Sequence, residues 1–309
     1  MIESGSHTLG VRSADFRLPS GTALRMERPA EPLCGILSSY SVLDSDASAW
    51  PEAENWMLPS WARLWIGINR GPVDVAVGRN PANRLGQAML VGVTSRAMAA
   101  STSGGVSVVI DIGPVAWARL IASSAEAMRD RMVPLDQMVP AGWSEDLVAC
   151  IAASDCGVQV KAAIDDFFLQ RMPPPHPHEA LIAKIAALLV DDNVHDLKDA
   201  AARVGIDDRT LVRLSKRYFG FPPKILSMRT RFIRVLTAMM LADDDPDYAT
   251  IPAGYHDVSH FIRDANRFLG LTPRRFLAIE MPYSRATLRA RSLVMGAATA
   301  SIDKVIVEL

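Results

Sequence analysis

The sequence predicts an α+β protein in which a β-rich amino-terminal domain precedes an all-α carboxyl-terminal domain. Short runs rich in β-branched residues lie between residues 63 and 112, and apolar residues at helical spacing dominate after residue 178. A run of prolines separates these regions, and a chain of 309 residues suggests about two domains. The expected segments are an irregular amino-terminal segment (1–30), a β-rich domain with closing helices (31–171), a proline-rich linker (172–177), a helical domain (178–281) and an apolar tail (282–309).

The β-rich domain is predicted from four apolar runs. Arg63–Ile68 and Val73–Val77 are predicted to form a hairpin, because the turn-forming residues 69–72 join them. Met89–Val93 and Val106–Ile112 are expected to be two further strands. Apolar spacing, with a proline at the start of the first, predicts closing helices at Pro114–Ile121, Ser144–Ala153 and Val158–Arg171.

The segment Met172–Pro177 contains four prolines and cannot continue a helix, because proline lacks the amide donor and its ring clashes with the preceding turn. We interpret it as a semi-rigid linker at the domain boundary. Immediately after it, Glu179–Val190 is predicted to be a strongly apolar helix.

Charge is unevenly distributed along a chain whose net charge is only −1. Every charged residue from Arg209 to Leu241 is basic, whereas four aspartates follow between residues 243 and 247. The sequence therefore predicts a local basic surface of the kind that binds nucleic acid. The basic residues concerned are Arg209, Arg213, Lys216, Arg217, Lys224, Arg229, Arg231 and Arg234.

Residues 197–218 have the pattern of two helices joined by a tight turn. Apolar residues at 197, 200, 201 and 204 share one face of a short helix, and Gly205 supplies the turn. Asp207 or Asp208 is expected to cap a second helix, Asp208–Tyr218, which buries Leu211 and Leu214. Early arginines of such a helix are placed to contact base edges, and later basic residues to contact phosphates. The side chains predicted to remain exposed are Arg209, Thr210, Val212, Arg213, Lys216 and Arg217.

A second unit of the same kind follows a helix predicted at Ser227–Leu241, which would set the spacing between the two units. Gly254 supplies the turn, Asp257 caps the next helix, and Phe261 is expected to point inward. The side chains that remain available on this helix are Val258, Ser259, His260, Arg263 and Arg267.

This region resembles the carboxyl-terminal domain of AraC/XylS-type transcription regulators, in which a long helix joins two helix–turn–helix subdomains. The pattern L-x-R-L-x-K-x-x-x-G-x-x-P occurs at residues 211–223, and Arg231 matches the arginine of the joining helix. The second signature, G-[FY]-x-D-x-S-[HY]-F-x-R followed by F-x-G-x-[ST]-P, occurs at residues 254–273. Two departures are Ser215, which replaces an aromatic residue, and Pro252, which shortens the helix before the second turn.

The resemblance implies a sequence-specific, DNA-binding transcription regulator that reads two adjacent major-groove segments of promoter DNA. It implies base-reading positions at Arg209, Val212 and Arg213 in the first unit, and at Val258, Ser259, His260 and Arg263 in the second. We expect Arg213 and Arg263 to contact bases, whereas Lys216, Arg217 and Arg267 hold phosphates. Because the second unit departs more from the family pattern, the first helix is expected to be the stronger anchor.

The amino-terminal half is similar to the β-rich sensory domains attached to many such regulators, a likeness that supplies no ligand. The alternative is a sensor or adaptor that acts through protein or small-molecule binding, with a degenerate DNA-binding domain. Trp61 and Trp65, four residues apart, either line an effector pocket or pack in a core. The sequence leaves open a small-molecule effector, a homodimer, contact with RNA polymerase, and whether the tail packs back on the protein.

Other classes of function lack support in the sequence. Motifs typical of serine hydrolases, zinc proteases and nucleotide-binding enzymes are absent, so we expect neither an enzyme nor a cofactor. His256 and His260 have metal-ligand spacing but lack a third ligand, and the cysteines have no zinc-site spacing, so we expect no metal. A signal peptide and a membrane span are not expected, which favours a cytoplasmic location.

Overall fold

The computed structural model describes residues 1–46, 48, 53–68, 71, 73–78, 80–190, 197–242 and 254–300. Within these residues the amino-terminal half forms two antiparallel sheets. The strand order is β1-β2-β9-β4-β7-β10 in the six-stranded sheet and β3-β8-β5-β6 in the four-stranded sheet. The strands are β1 (Thr22–Glu27), β2 (Leu37–Ser45), β3 (Ala53–Met57), β4 (Arg63–Ile68), β5 (Val73–Val77), β6 (Asn83–Arg84), β7 (Ala88–Val91), β8 (Met98–Thr102), β9 (Gly105–Ile112) and β10 (Met132–Pro134).

The predicted hairpin of Arg63–Ile68 and Val73–Val77 is wrong, although both strands exist. β4 pairs with β9 and β7 in the six-stranded sheet, whereas β5 pairs with β8 and β6 in the other sheet. Five of the six residues of β4 are buried, as in a central strand, whereas β5 alternates between buried and half-buried residues. Most of the predicted turn at 69–72 lies outside the described residues.

The expectation of an irregular segment over residues 1–30 is wrong at Thr22–Glu27, which form the strand β1. All six residues of β1 are buried, and the strand pairs with β2 in a continuous antiparallel register. Its polar residues obscured it in the sequence, but Arg25 and Glu27 form a buried ion pair with 2.8 Å between nitrogen and oxygen. Burial of these charges is tolerated because they are paired with each other.

The predicted helices are present, with small changes at their ends. α7 begins at Pro223, four residues earlier than predicted, because a proline is well accommodated in the first turn of a helix. The helices are α1 (Pro114–Leu120), α2 (Trp143–Ala152), α3 (Val160–Arg171), α4 (Glu179–Val190), α5 (Leu197–Val204), α6 (Asp208–Phe219), α7 (Pro223–Leu241), α8 (Val258–Phe268), α9 (Pro273–Leu277) and α10 (Pro282–Met295).

The helical half packs directly against the β-rich half. Residues 172–178 are not helical, yet the hydrophobic core continues across them. The rings of Trp61 and Phe219 meet edge to face at 5.6 Å, and Arg119 forms an ion pair with Glu179 at 2.5 Å. The division into domains at residues 172–177 stays a prediction.

The carboxyl-terminal α10 packs back onto the amino-terminal half. Ala290, Val294 and Met295 share a buried cluster with residues of β1, and the Tyr283 hydroxyl donates to the carbonyl of Asp44 at 3.0 Å. The described part of the tail therefore belongs to the core, which decides that alternative for residues 282–300. Among the described residues, no helix combines the length and the apolarity required to cross a membrane.

Candidate nucleic-acid interface

The first helix–turn–helix unit is built from α5, a turn at Gly205 and α6. Gly205 has a φ of +80°, in the left-handed region that glycine tolerates best. Asp207 caps α6 by accepting the backbone N–H of Thr210 at 2.9 Å and its hydroxyl at 2.8 Å. These two hydrogen bonds hold the pKa of Asp207 below its ordinary value. Thr210 is predicted to contact DNA, but its hydroxyl donates to the capping Asp207.

The predicted base-contacting side chains of α6 lie on its outer face. Leu211 and Leu214 are buried, as predicted, whereas Arg209, Arg213 and Arg217 are exposed. Ser215, the departure from the family pattern, is fully buried, and its hydroxyl has no hydrogen-bond partner among the described residues. Three side chains of the predicted set are half-buried, namely Thr210, Val212 and Lys216.

The last turn of α6 contacts the amino-terminal half, a contact that the sequence does not predict. The backbone N–H groups of Ala125 and Glu126 donate to the carbonyls of Arg217 and Lys216, at 2.7 and 3.1 Å. The Lys216 ammonium also lies 3.1 Å from the Glu126 carboxylate. Lys216, predicted to hold phosphate, is therefore already paired with a carboxylate.

The second unit repeats the turn and the cap. Gly254 has a φ of +82°, and Asp257 caps α8 by accepting the backbone N–H of His260 at 2.6 Å. Phe261 is buried, as predicted, and its ring lies 5.6 Å from that of Phe232 on α7. The acidic run at 243–247 and the helix predicted before Gly254, which Pro252 would shorten, lie outside the described residues.

The side chains of α8 that are predicted to contact DNA differ in their exposure to solvent. Ser259, Arg263 and Arg267 are exposed, whereas Val258 and His260 are half-buried. The His260 ring lies edge-on to Tyr255 at 5.0 Å, and its Nε2 is 3.3 Å from the Arg231 guanidinium. His260 is therefore held by Tyr255 and Arg231, whereas Arg263 and Arg267 are exposed.

Arg231 links the long helix α7 to α8. Its guanidinium donates to the buried Asp264 carboxylate at 3.3 Å and lies 4.8 Å above the Tyr255 ring. The Tyr255 hydroxyl donates to the same carboxylate at 3.1 Å. The family resemblance singled out Arg231, and the structure gives it a positioning role.

The expected basic surface is smaller than the sequence predicts, because Arg229 faces inward. Arg229 is 1% exposed, and its guanidinium donates to the carbonyls of Ser60 and Thr94, at 3.4 and 3.1 Å. It lies 4.5 Å from the centre of the Trp61 ring, and burial lowers its pKa to about 9. Arg234 similarly donates to the carbonyl of Val190. These arginines connect elements of the fold.

Sequence reasoning missed two exposed arginines, Arg274 and Arg275, in the first turn of α9. The Thr272 hydroxyl accepts the N–H of Arg275 at 3.4 Å, and Pro273 is buried beneath the turn. In the sequence, Thr272 and Pro273 mark the start of a helix. That pattern could have indicated that the two arginines that follow lie in its first turn.

A cavity of about 200 Å³ lies between the two sheets and α10. Its lining is mostly apolar and includes Trp65, while Trp61 packs in the core against Phe219 and Arg229. The two tryptophans thus have different roles, one in a cavity wall and one in packing.

Histidines and cysteines do not form a metal site in the described part of the chain. The rings of His256 and His260 stack at 6.3 Å, and Cys34, Cys150 and Cys156 are free thiols. Burial raises the pKa of each thiol, which disfavours the thiolate form that binds metals.

Residues 200–279 match a protein-family model described as a helix-turn-helix domain. No curated protein matches the chain. Similar solved structures include unsaturated fatty acid bound ToxT from Vibrio cholerae, at 12% identity over 84% of this chain and 96% of that chain, with a TM-score of 0.41. Another ToxT structure from Vibrio cholerae has 12% identity over 73% of this chain and 97% of that chain, with a TM-score of 0.42.

The AraC-like transcriptional activator CuxR is similar at 10% identity over 71% of this chain and 86% of that chain, with a TM-score of 0.28. The matched residues 200–279 contain both capped helices and both glycine turns. The chain therefore carries an AraC-type helix–turn–helix domain and is a DNA-binding transcription regulator.

Proposed function

We propose that the chain reads two adjacent major-groove segments of promoter DNA, with α6 and α8 as its recognition helices. The supporting observation is that the two helices carry an arginine at the same distance from the capping aspartate. Arg213 lies six residues after the capping Asp207, and Arg263 lies six residues after the capping Asp257. Both arginines are exposed on capped helices, so each has the reach and the freedom to contact a base edge.

The same equivalence extends to the phosphate contacts. Arg217 and Arg267 each lie ten residues after the capping aspartate, and both are exposed. We assign phosphate contacts to these arginines and to Lys216, once its ion pair with Glu126 has opened. The remaining residues of the proposed interface would contact the DNA near the bases. They are Arg209, Thr210, Val212, Val258, Ser259 and His260.

Recovery of bound fragments from sheared genomic DNA of the source organism tests this function. We expect enrichment of a few promoter fragments that share a two-part motif, and affinity that falls steeply as salt is added. Uniform recovery, or no recovery, would contradict sequence-specific reading. Absent or salt-insensitive DNA binding would favour the alternative, a sensor or adaptor with a degenerate DNA-binding domain.

Arg263→Ala should weaken specific binding less than Arg213→Ala does. The reason is the departure of the second unit from the family pattern at Pro252, which we expect to make α8 the weaker anchor. Titration of both variants against one recovered fragment at a single salt concentration checks the order. A larger loss for Arg263→Ala would reverse the ranking of the two helices.

Glu126→Gln should strengthen DNA binding by up to about fivefold at low salt, because an exposed ion pair worth about 0.2–1 kcal/mol would no longer hold Lys216. Fluorescence anisotropy with a labelled fragment measures the change. Glu145→Gln, which neutralises an exposed carboxylate on α2, is the matched control. Equal gains in the two variants would show that only the net charge matters.

We also propose that a small molecule regulates this DNA binding from the cavity between the sheets and α10. The observation in favour is that α10, which follows the second helix–turn–helix unit, supplies part of the cavity wall, including Tyr283, Leu288 and Arg291. A cytoplasmic location, a homodimer and contact with RNA polymerase stay predictions.

A further inference from the structure

We infer that α8 reads a thymine methyl group through Ile262, in the base pair next to the one that Arg263 contacts. This inference rests on the proposed DNA-reading function and adds to it a residue that determines specificity. The DNA segment that α8 binds would then carry a thymine and a guanine in neighbouring base pairs. The observations that carry the inference are the position of Ile262 on α8, its exposure, and an equivalent residue on α6.

Ile262 lies on the outer face of α8. The buried face is formed by residues at the spacing i, i+3, i+4 and i+7, namely Phe261, Asp264, Ala265 and Phe268. Residues at the same spacing from Ser259 are all exposed, namely Ser259, Ile262, Arg263 and Asn266. The two rows lie on opposite sides of the helix, so Ile262 and Arg263 both project away from the core.

The recognition helix of the first unit, α6, carries an equivalent pair. Counted from the capping aspartates, Val212 and Ile262 both lie at the fifth position, and Arg213 and Arg263 both lie at the sixth. The residue of α8 that corresponds to Val212 is therefore Ile262, whereas Val258 directly follows its cap. Both helices thus combine a β-branched apolar side chain with the arginine that follows it.

The exposure of Ile262 favours a contact with DNA. Ile262 is 37% exposed, and isoleucine is a weaker helix former than alanine or leucine. An isoleucine on the solvent side of α8 therefore contributes little to the stability of the free protein. In the major groove, thymine presents a methyl group that apolar side chains contact. Contact with that methyl group would remove apolar surface of Ile262 from water.

The adjacency of Ile262 and Arg263 places their contacts in neighbouring base pairs. Consecutive residues of an α-helix are about 1.5 Å apart along its axis, which is less than the separation of about 3.4 Å between base pairs. One base pair cannot present both a guanine and a thymine, because guanine pairs with cytosine and thymine with adenine. When Arg263 contacts a guanine, Ile262 therefore reaches the next base pair.

The test removes the methyl group alone from a recovered promoter fragment. Each thymine is replaced in turn by deoxyuridine, which lacks only the 5-methyl group, and fluorescence anisotropy measures the affinity of the full chain for each fragment. The guanine that Arg263 contacts is the one whose replacement no longer affects binding by Arg263→Ala. We expect deoxyuridine in the neighbouring base pair to weaken wild-type binding by about fourfold, which corresponds to about 0.8 kcal/mol for one buried carbon.

Ile262→Ala should bind the unmodified fragment about fourfold less tightly than the wild type, and deoxyuridine at that position should weaken it no further. The variant should unfold at the wild-type temperature, because the side chain is exposed and alanine favours a helix. Leu169→Ala truncates another exposed side chain, on α3, and is the matched control. It should keep both the wild-type affinity and the fourfold response to deoxyuridine.

The possible failures are distinguishable. A response to deoxyuridine that persists in Ile262→Ala would assign the methyl contact to another side chain and overturn the inference. No response at any thymine in the wild type would also overturn it, while specific binding to the unmodified fragment would leave the proposed function intact. Failure to recover any specific fragment would overturn the proposed function, and the inference with it.

Discussion

Arg213→Ala should weaken binding to a recovered promoter fragment by about fivefold or more, and leave the thermal unfolding transition nearly unchanged. Arg213 is exposed on α6 and lies six residues after the cap, where the helix presents its side chain outward. A bidentate contact between an arginine and a guanine edge contributes about 1–3 kcal/mol of discrimination, or roughly five- to 150-fold in affinity. The loss should be confined to specific DNA, since nonspecific binding depends mainly on phosphate contacts.

Arg84→Ala is the control for this prediction. Arg84 is also an exposed arginine, but it lies on β6 and is paired with Asp74 at 3.1 Å. Its removal lowers the net charge equally and should leave DNA affinity nearly unchanged. Wild-type affinity in Arg213→Ala would contradict the assignment of α6 as a recognition helix.

Arg229→Ala should lower the free energy of unfolding by about 2–4 kcal/mol, the range for a large buried side chain whose removal leaves a cavity and unpaired polar groups. The guanidinium donates to the carbonyls of Ser60 and Thr94 and lies against the Trp61 ring. Its loss would leave both carbonyls without this donor and open a space between α7 and the β-rich half. Urea unfolding followed by circular dichroism measures the change.

Two further variants test why Arg229→Ala should lower the free energy of unfolding. Lys224→Ala, which truncates an exposed side chain on the same helix, should change the free energy of unfolding by less than about 0.5 kcal/mol. Arg229→Met keeps most of the volume and removes the buried charge, so its loss should be smaller than that of Arg229→Ala. If Arg229→Ala were as stable as Lys224→Ala, Arg229 would not join the two halves.

The parts of the interface that the sequence predicts are those with local causes. Gly205 and Gly254 need a left-handed backbone, and Asp207 and Asp257 accept N–H groups three residues later, so a few neighbouring residues specify each turn and cap. The spacing of Leu211 and Leu214 then determines which face of α6 is buried. For that reason Arg213 and Arg217 are found on the outer face, as expected.

The parts that sequence reasoning misses depend on contacts between distant segments. Arg229 is basic like its neighbours in sequence, and its contacts with the distant residues Ser60, Trp61 and Thr94 explain why it is buried. The pairing of Lys216 with Glu126 similarly depends on how the two halves pack. The apolar runs identified β4 and β5 as strands but carried no information on which sheet each would join.

Hydroxyl-radical footprinting of the full chain on a recovered promoter fragment tests the central claim most directly. The two-helix interface predicts two protected segments on the same face of the DNA, about one helical turn or 10 base pairs apart. Arg213→Ala should weaken protection of one segment and Arg263→Ala protection of the other. A single protected segment that responds to Arg213→Ala alone, or uniform protection along the fragment, would contradict reading by two recognition helices.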